Sequence, residues 1–300
     1  MDRPADFGHL LTEQANPSSE HLDALPTPEM LRIFHHEDYR AVEAVGAALP
    51  QIAALIDATA ERLATGGRLF YIGAGTSGRL GVLDASECPP TFNVPPQLVT
   101  AIMAGGDASL RNSSESLEDS PEAGAADLHA HGLSAADVLV GIAASGRTPY
   151  VLGAVDAANA LAALTACIVC SPRSPIAARV RLPIEVLTGP EVVAGSTRLK
   201  AGTATKLVLN MLSTGVMVRL GYVYSNLMVN VQPSNAKLVD RARRVISAVA
   251  GVSPVEATRL LDASGSSVRT AIVMGKLGVS RQDADRRLAA SQGRLRDALQ

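Results

Sequence analysis

The sequence predicts an α/β chain: a doubly wound parallel sheet, preceded by a helical lead-in and followed by a small all-helical domain. Three observations carry that reading. Five short runs, at 68–72, 98–103, 138–142, 166–169 and 182–187, are almost wholly apolar, as strands buried on both faces of a parallel sheet are. Helical stretches at about 78–88, 120–131, 148–162 and 174–180 alternate with them, and ligands of such sheets sit at the carboxyl ends of the strands. From about residue 236 onward the pattern is helical throughout.

The elements follow in order. Residues 1–26 contain Pro4, Gly8, Pro17 and Pro26 and read as an extended lead-in. Thr27, with Pro28 at the first helical position, opens a helix that runs to about Ala64. Pro50 interrupts it and Gly66-Gly67 stops it. The lead-in and these helices, with residues 1–58 as the N-terminal extension, are expected to pack on the sheet domain. A long apolar helix from Thr197 to about Leu220 closes that domain, and a polar linker covers about 221–235. The segment 236–300 is a small helical bundle with an internal echo, Gly251-Val-Ser-Pro-Val-Glu-Ala257 against Gly278-Val-Ser-Arg-Gln-Asp-Ala284. Each serine there is placed as an N-cap, and Ser253 with Glu256 forms a capping box.

Composition excludes several classes. Of 300 residues, 27 are Lys or Arg and 29 Asp or Glu, a net charge of −2, whereas a dedicated nucleic-acid binder is usually basic. Five Tyr, four Phe and no Trp leave few rings on which to stack bases. A hydrophobic content of 47% excludes general disorder. Cys88, Cys167 and Cys170 are odd in number and too few for a disulfide framework, which suits a reducing compartment. The start of the chain lacks a signal-peptide pattern, and the most apolar window, 207–224, is broken by Asn210, Ser213, Thr214 and Arg219. A soluble protein of a reducing compartment is expected.

Two similar strand-to-helix turns are the main chemical signal: Tyr71-Ile-Gly-Ala-Gly-Thr-Ser-Gly-Arg79 and Gly141-Ile-Ala-Ala-Ser-Gly-Arg-Thr-Pro149. A helix start offers free N–H groups and a positive dipole end, hydroxyls add donors, and glycine lets an anion approach the backbone. A phosphate suits both, with Gly75, Thr76, Ser77 and Gly78 in the first and Ser145, Gly146, Arg147 and Thr148 in the second. The first turn also matches G-x-G-x-x-G, but a dinucleotide site needs an acidic residue about 20 positions on, and Asp107 lies 29 after Gly78. A third segment, Gly195-Ser-Thr-Arg-Leu-Lys-Ala-Gly202, places Arg198 and Lys200 in a helix's first turn, where cations oppose the dipole unless an anion meets them. Ser196 joins them as a candidate.

Acid–base candidates are few. Glu87 lies near the end of the helix that follows the first turn, and Pro89, Pro90 and Phe92 are expected to desolvate it. Both effects would raise its pKa, as a general acid requires. Glu118 sits in the loop at 113–120, where Glu115 and Asp119 look equally suitable. His35-His36 point apart on a helix, His129 and His131 have no acidic company, and Cys167-x-x-Cys170 falls in a strand, so no metal site is read. No G-x-S-x-G elbow is present.

The block from Tyr71 to Thr91, with Asp84-Ala-Ser-Glu-Cys-Pro-Pro90 at its end, resembles the signature of the N-acetylmuramic acid 6-phosphate etherase family. Gly141 to Tyr150, Lys200-Ala-Gly-Thr-Ala-Thr-Lys206 and its continuation to Thr214, Leu11-Thr-Glu13 and Asn226-Leu-Met-Val-Asn230 resemble further family blocks. The resemblance implies a sugar-isomerase (SIS) domain at about 59–222, a UBA-like helical bundle at 236–300 and a cytoplasmic homodimer. It implies a carbon–oxygen lyase of peptidoglycan recycling that needs no metal or redox cofactor and works on a phosphosugar. The D-lactyl ether would be cleaved to N-acetylglucosamine 6-phosphate and D-lactate. The family's two catalytic glutamates fall on Glu87 and Glu118. Ser116 stands where the family usually has glycine, which is expected to alter the loop backbone before Glu118. The vertebrate glucokinase regulatory protein is similar and binds sugar phosphate without turnover, so a sensor is the alternative, and a sugar-phosphate isomerase is another.

Overall fold

A computed structural model describes residues 8–112 and 117–300, so Glu115 and Ser116 lie outside the described residues. The chain divides into two compact units, one comprising the residues up to Ala85 with Gln97–Ser213, the other Ser86–Pro96 with Thr214–Gln300.

In the first unit, helices α1 (Thr27–Ala47) and α2 (Leu49–Ala64) each carry a proline in the first turn, where no N–H is needed. Strand β1 (Leu69–Gly73) leads into α3 (Gly75–Phe92), and β2 (Val99–Met103) is followed by α4 (Pro121–Ala130). Next come β3 (Val138–Ile142), α5 (Pro149–Ala160), β4 (Leu164–Val169), β5 (Leu182–Glu185) and α6 (Lys200–Arg219). The five strands pair in parallel in the order β2-β1-β3-β4-β5. The chain therefore starts inside the sheet, steps out to β2 and returns to β3 on the other side of β1. That reversal makes the carboxyl ends of β1 and β3 the topological switch point, the crevice where such sheets bind ligands.

Both faces of the sheet are covered. Phe70, Ile72, Leu139 and Cys167 point to the side of α4 and α5, packing on Val151, Ala154, Val155 and Ala158. The alternate residue Tyr71 faces α3 and donates its hydroxyl to Asp84 at 3.0 Å. β1, β3 and β4 are buried along their whole length. A Cβ on Gly141 would lie 2.8 Å from Val151 Cγ1, so this glycine is what lets α5 approach β3.

Three expectations are corrected. The stretch 174–180 forms turns, not a helix. Pro172 and Pro175 flank Arg173, whose φ of 50° is left-handed, and the Ile176 N–H leaves for the Gly146 carbonyl at 3.1 Å. The helix after the third anion segment starts at Lys200, not Thr197, because 195–199 are taken up by short turns such as Leu199 N–H to Ser196 O. The helix after the first turn runs on through Pro89 and Pro90 to Phe92, and stops where Asn93, at φ 51°, donates to the Pro89 carbonyl at 2.8 Å.

In the second unit the expected linker contains a small hairpin, β6 (Val223–Tyr224) and β7 (Leu227–Met228), turned by Ser225 at φ 53°. Helices α7 (Ala236–Ala250), α8 (Pro254–Ala263), α9 (Val268–Leu277), α10 (Arg281–Ala290) and α11 (Leu295–Ala298) share one apolar core. The sequence echo is a repeated joint. Gly251 and Gly278 close α7 and α9 in left-handed conformation, and the Ser253 and Ser280 hydroxyls cap α8 and α10. Among the described residues no single helix is long and apolar enough to cross a membrane.

Candidate functional site

At the end of β1 the chain turns through Ala74 into α3 with Gly75 at φ 53°. The helix start lies hard against the strand ends: a Cβ on Gly78 would be 2.7 Å from the Gly73 carbonyl and 2.8 Å from Met103 Cγ. Thr76 and Ser77 are half-buried at this helix start. Arg79 faces elsewhere, donating to the carbonyls of Ser109 at 2.8 Å and Leu110 at 3.1 Å, which fixes the turn after β2.

The second turn leaves β3, the neighbour of β1, with Gly73 opposite Ile142 in register. Gly146 has φ 64°, and a Cβ there would lie 2.3 Å from Ser174, so only glycine fits. The Ser145 hydroxyl accepts the Arg147 N–H at 3.3 Å, and the buried Nε of Arg147 has no hydrogen-bond partner among the described residues. Thr148 is the N-cap residue of α5, yet its side chain does not cap that helix. It donates instead to Glu118 Oε1 at 3.4 Å.

Glu118 is half-buried, and its carbonyl accepts the Tyr150 N–H at 3.0 Å. Two glycines bring this loop to α5. A Cβ on Gly124 would be 1.9 Å from the Tyr150 carbonyl, and one on Gly153 2.0 Å from that of Pro121. The buried Tyr150 hydroxyl then donates to Asp127 at 2.5 Å, and burial together with that carboxylate pushes the phenol above its usual range. Glu118 is thereby joined to the second turn, while Asp119 is exposed.

Glu87 lies on α3 within the second unit and is exposed, so the desolvation expected from Pro89, Pro90 and Phe92 is absent. The reason is that the helix continues past it, and Phe92 is buried with its carbonyl accepting from Asn230 at 2.5 Å. In the third segment Ser196 is half-buried and Arg198 exposed, both ahead of α6 rather than in its first turn. Lys200 is 1% exposed, and its ammonium pairs with the equally buried Glu37 of α1. The same carboxylate accepts from Asn16 at 2.8 Å and lies 3.4 Å from Arg40. Burial raises the Glu37 carboxyl, but the hydrogen bonds from Lys200 and Asn16 outweigh this and hold it below its usual range. The expected open contact of Lys200 with an anion is thus replaced by an internal ion pair. Glu191 accepts the Lys200 and Ala201 N–H groups, both at 2.9 Å, and so caps α6.

The sequence reading passed over Lys206 and Asp84. Asp84 is buried and accepts from Tyr71, from Ser213 at 3.2 Å and from Lys206 at 3.5 Å. Burial pushes its carboxyl up, offset in part by the Lys206 charge. A helical-wheel reading of α6 finds Lys206 on the face of Gly202 and Thr203, a cation in the helix interior between Lys200 and Arg219 at its two ends. With Thr76, Leu80, Arg198 and Leu207 it lines a cleft of about 330 Å³. Among the described residues no cluster of three or more His, Cys, Asp or Glu could hold a metal ion.

Residues 51–159 match the family model of the glucokinase regulatory protein N-terminal SIS domain. A phosphoheptose isomerase from Francisella tularensis superposes with a TM-score of 0.50 at 19% identity, covering 65% of this chain and all of that one, a likeness of fold. Curated relatives match over nearly their whole length. The N-acetylmuramic acid 6-phosphate etherase of Nostoc punctiforme is 54% identical over 100% of this chain and 97% of its own. That of Cronobacter sakazakii is 52% identical over 98% and 99%, and that of Gloeobacter violaceus 56% identical over 91% and 89%. With an SIS-type parallel sheet and identity of this depth along the full chain, the protein belongs to the N-acetylmuramic acid 6-phosphate etherase family.

Proposed function

We propose that the protein cleaves the D-lactyl ether of N-acetylmuramic acid 6-phosphate, releasing D-lactate and N-acetylglucosamine 6-phosphate. The observation that carries this reading is the full-length likeness to relatives of that name, at 50–56% identity. The paired turns on β1 and β3 support a phosphosugar in the switch-point crevice, with Gly75, Thr76, Ser77 and Gly78 facing Ser145, Gly146, Arg147 and Thr148 across it. In this reading residues 59–222 form the sugar-phosphate domain and 236–300 an accessory bundle. The protein is a cytoplasmic homodimer serving peptidoglycan recycling.

The reaction is a lyase step followed by hydration. With the sugar open as its aldehyde, the C2 proton is acidic, and Glu118 removes it as base. The electron pair moves to form the C2–C3 double bond while the C3–O bond breaks, and Glu87 protonates the departing lactate oxygen. Water then adds at C3, giving a proton to Glu87, while Glu118 returns one to C2. Protons and electrons balance, so the cycle needs no redox cofactor, and in this reading the two glutamates carry the acid–base work without a metal. The exposure of Glu87 leaves it free to exchange protons with water between turnovers, and the Thr148 hydrogen bond orients the Glu118 carboxylate.

Incubation of the purified protein with N-acetylmuramic acid 6-phosphate, followed by assay of D-lactate, tests the reading. Release is expected in the presence of a chelator, with losses of ~10²–10⁴-fold in Glu87→Gln and in Glu118→Gln. Binding of the sugar phosphate without lactate release would make the protein a sensor of the glucokinase-regulatory type. Formation of a ketose would make it an isomerase.

A further inference from the structure

The substrate proposed above carries two anions, a phosphate on C6 and the carboxylate of the lactyl group on C3. The two helix-start turns account for one of them. The cleft between α3 and α6 has the make-up to receive the other, an inference that rests on the etherase reading.

Lys206 is the centre of that cleft. Its ammonium donates to Asn210 at 2.7 Å and to Asp84 at 3.5 Å, which leaves the third of its three donors available. Asp84 cannot absorb more of that charge from a better position, because its oxygens already accept from Tyr71 and Ser213. It acts as a buried bracket that holds Lys206 in the cleft wall. Arg198 stands exposed at the same cleft and forms no ion pair among the described residues. Two cations against one buried carboxylate leave the cleft with a net positive charge. Its remaining walls are mixed: the Thr76 and Thr203 residues bring hydroxyls, Leu80 and Leu207 bring methyl groups.

We propose that Lys206 and Arg198 hold the lactyl carboxylate, with Leu80 and Leu207 against the lactyl methyl group. A phosphate dianion is matched better by a row of free helix-start N–H groups, and at the α6 side of this cleft those of Lys200 and Ala201 are already taken by Glu191 and that of Thr203 by the Leu199 carbonyl. A three-carbon hydroxy acid needs what the cleft has, cations at one side and a small apolar wall at the other. Since lactate leaves in the reaction, the same contacts set both substrate affinity and product release.

Small-anion inhibition of the etherase separates the two anions. D-lactate and inorganic phosphate are each titrated as inhibitors of the wild-type protein, of Lys206→Met and of Arg198→Met. Loss of one charge-assisted hydrogen bond is expected to raise KM and weaken D-lactate inhibition by about tenfold or more, with phosphate inhibition unchanged. Lys206→Arg should recover part of the effect. Weakened phosphate inhibition with unchanged D-lactate inhibition would turn the cleft into a phosphate site and overturn the proposal, as would no change in either. Arg198 is exposed, so its variant reports even where loss of Lys206 disturbs folding. If the wild-type protein releases no lactate at all, the etherase reading fails by itself. The cleft is then judged by calorimetry with D-lactate on wild type and Arg198→Met, and equal or absent binding in both overturns it.

Discussion

The main chain of Tyr150 holds that of Glu118: the N–H of the first turn of α5 donates to the Glu118 carbonyl at 3.0 Å. The tyrosine hydroxyl, at the other end of the same residue, grips Asp127 of α4. One buried residue thus ties the loop that carries the proposed base, through its main chain, to the helix that follows, through its side chain. In Tyr150→Phe the Asp127 contact is lost while the ring still fills its site. Denaturant unfolding should show a loss of ~1–3 kcal/mol. If the pair positions Glu118, kcat falls while KM for the phosphosugar changes little; an unchanged kcat would separate the pair from the base.

The crossing of α4 and α5 depends on glycine. An alanine at Gly124 would press its Cβ into the Tyr150 carbonyl, a backbone atom that cannot rotate away. Gly124→Ala should therefore cost about 1–3 kcal/mol by overpacking and shift the Glu118 loop. Gly46, inside α1 with nothing within 4 Å of its Cβ position, is the control. Gly46→Ala should stabilise by roughly 0.5–1 kcal/mol, since only the helix propensity changes. Thermal unfolding of the two variants in opposite directions checks both claims.

What the sequence made legible was whatever rests on local pattern. The apolar runs, the glycine-marked turns at Gly75 and Gly146 and the serine caps at Ser253 and Ser280 all depend on residues a few positions apart. Long-range partners were not legible. Lys200 looked like an open cation because its neutralising carboxylate, Glu37, is 163 residues away. Gly124 and Gly153 carry no local sequence signal, and their role shows only where the two helices touch. Glu87 was expected to be desolvated by its neighbours, but Pro89, Pro90 and Phe92 continue the helix instead of folding over it. The choice of Glu118 among the acids of its loop came from family resemblance, and its contact with Thr148 is a finding of three-dimensional structure.

The cysteines should be inert in the folded protein. Cys88, Cys167 and Cys170 are all at most 2% exposed. Burial pushes the thiols of Cys167 and Cys170 up to about 12, which leaves almost no thiolate at neutral pH. A thiol reagent such as 5,5′-dithiobis(2-nitrobenzoate) should label none of them in native buffer and all three in denaturant. Rapid native labelling of any one would contradict the burial.

The Glu37–Lys200 pair predicts the acid sensitivity of the fold. Its carboxyl, pulled below the ordinary 4.5, contributes stability that is full above that value and is lost as pH falls toward the lower folded one. Asp137 adds in the same sense: burial raises it, but Arg68 and Ser134 hold it below the usual 3.8. Asp84 and Glu191, both raised mainly by burial, act in the opposite sense, their contribution being full below the ordinary values and lost as pH rises through the folded ones. Unfolding free energy measured from pH 7 down to pH 3 should fall less steeply in Glu37→Gln than in wild type. At pH 7 the same variant leaves Lys200 buried without its counter-charge, at a cost of about 3–5 kcal/mol, whereas Glu37→Gln combined with Lys200→Met removes both charges and should recover part of it. An acid limb of unchanged slope in Glu37→Gln would mean that this pair does not carry the linkage.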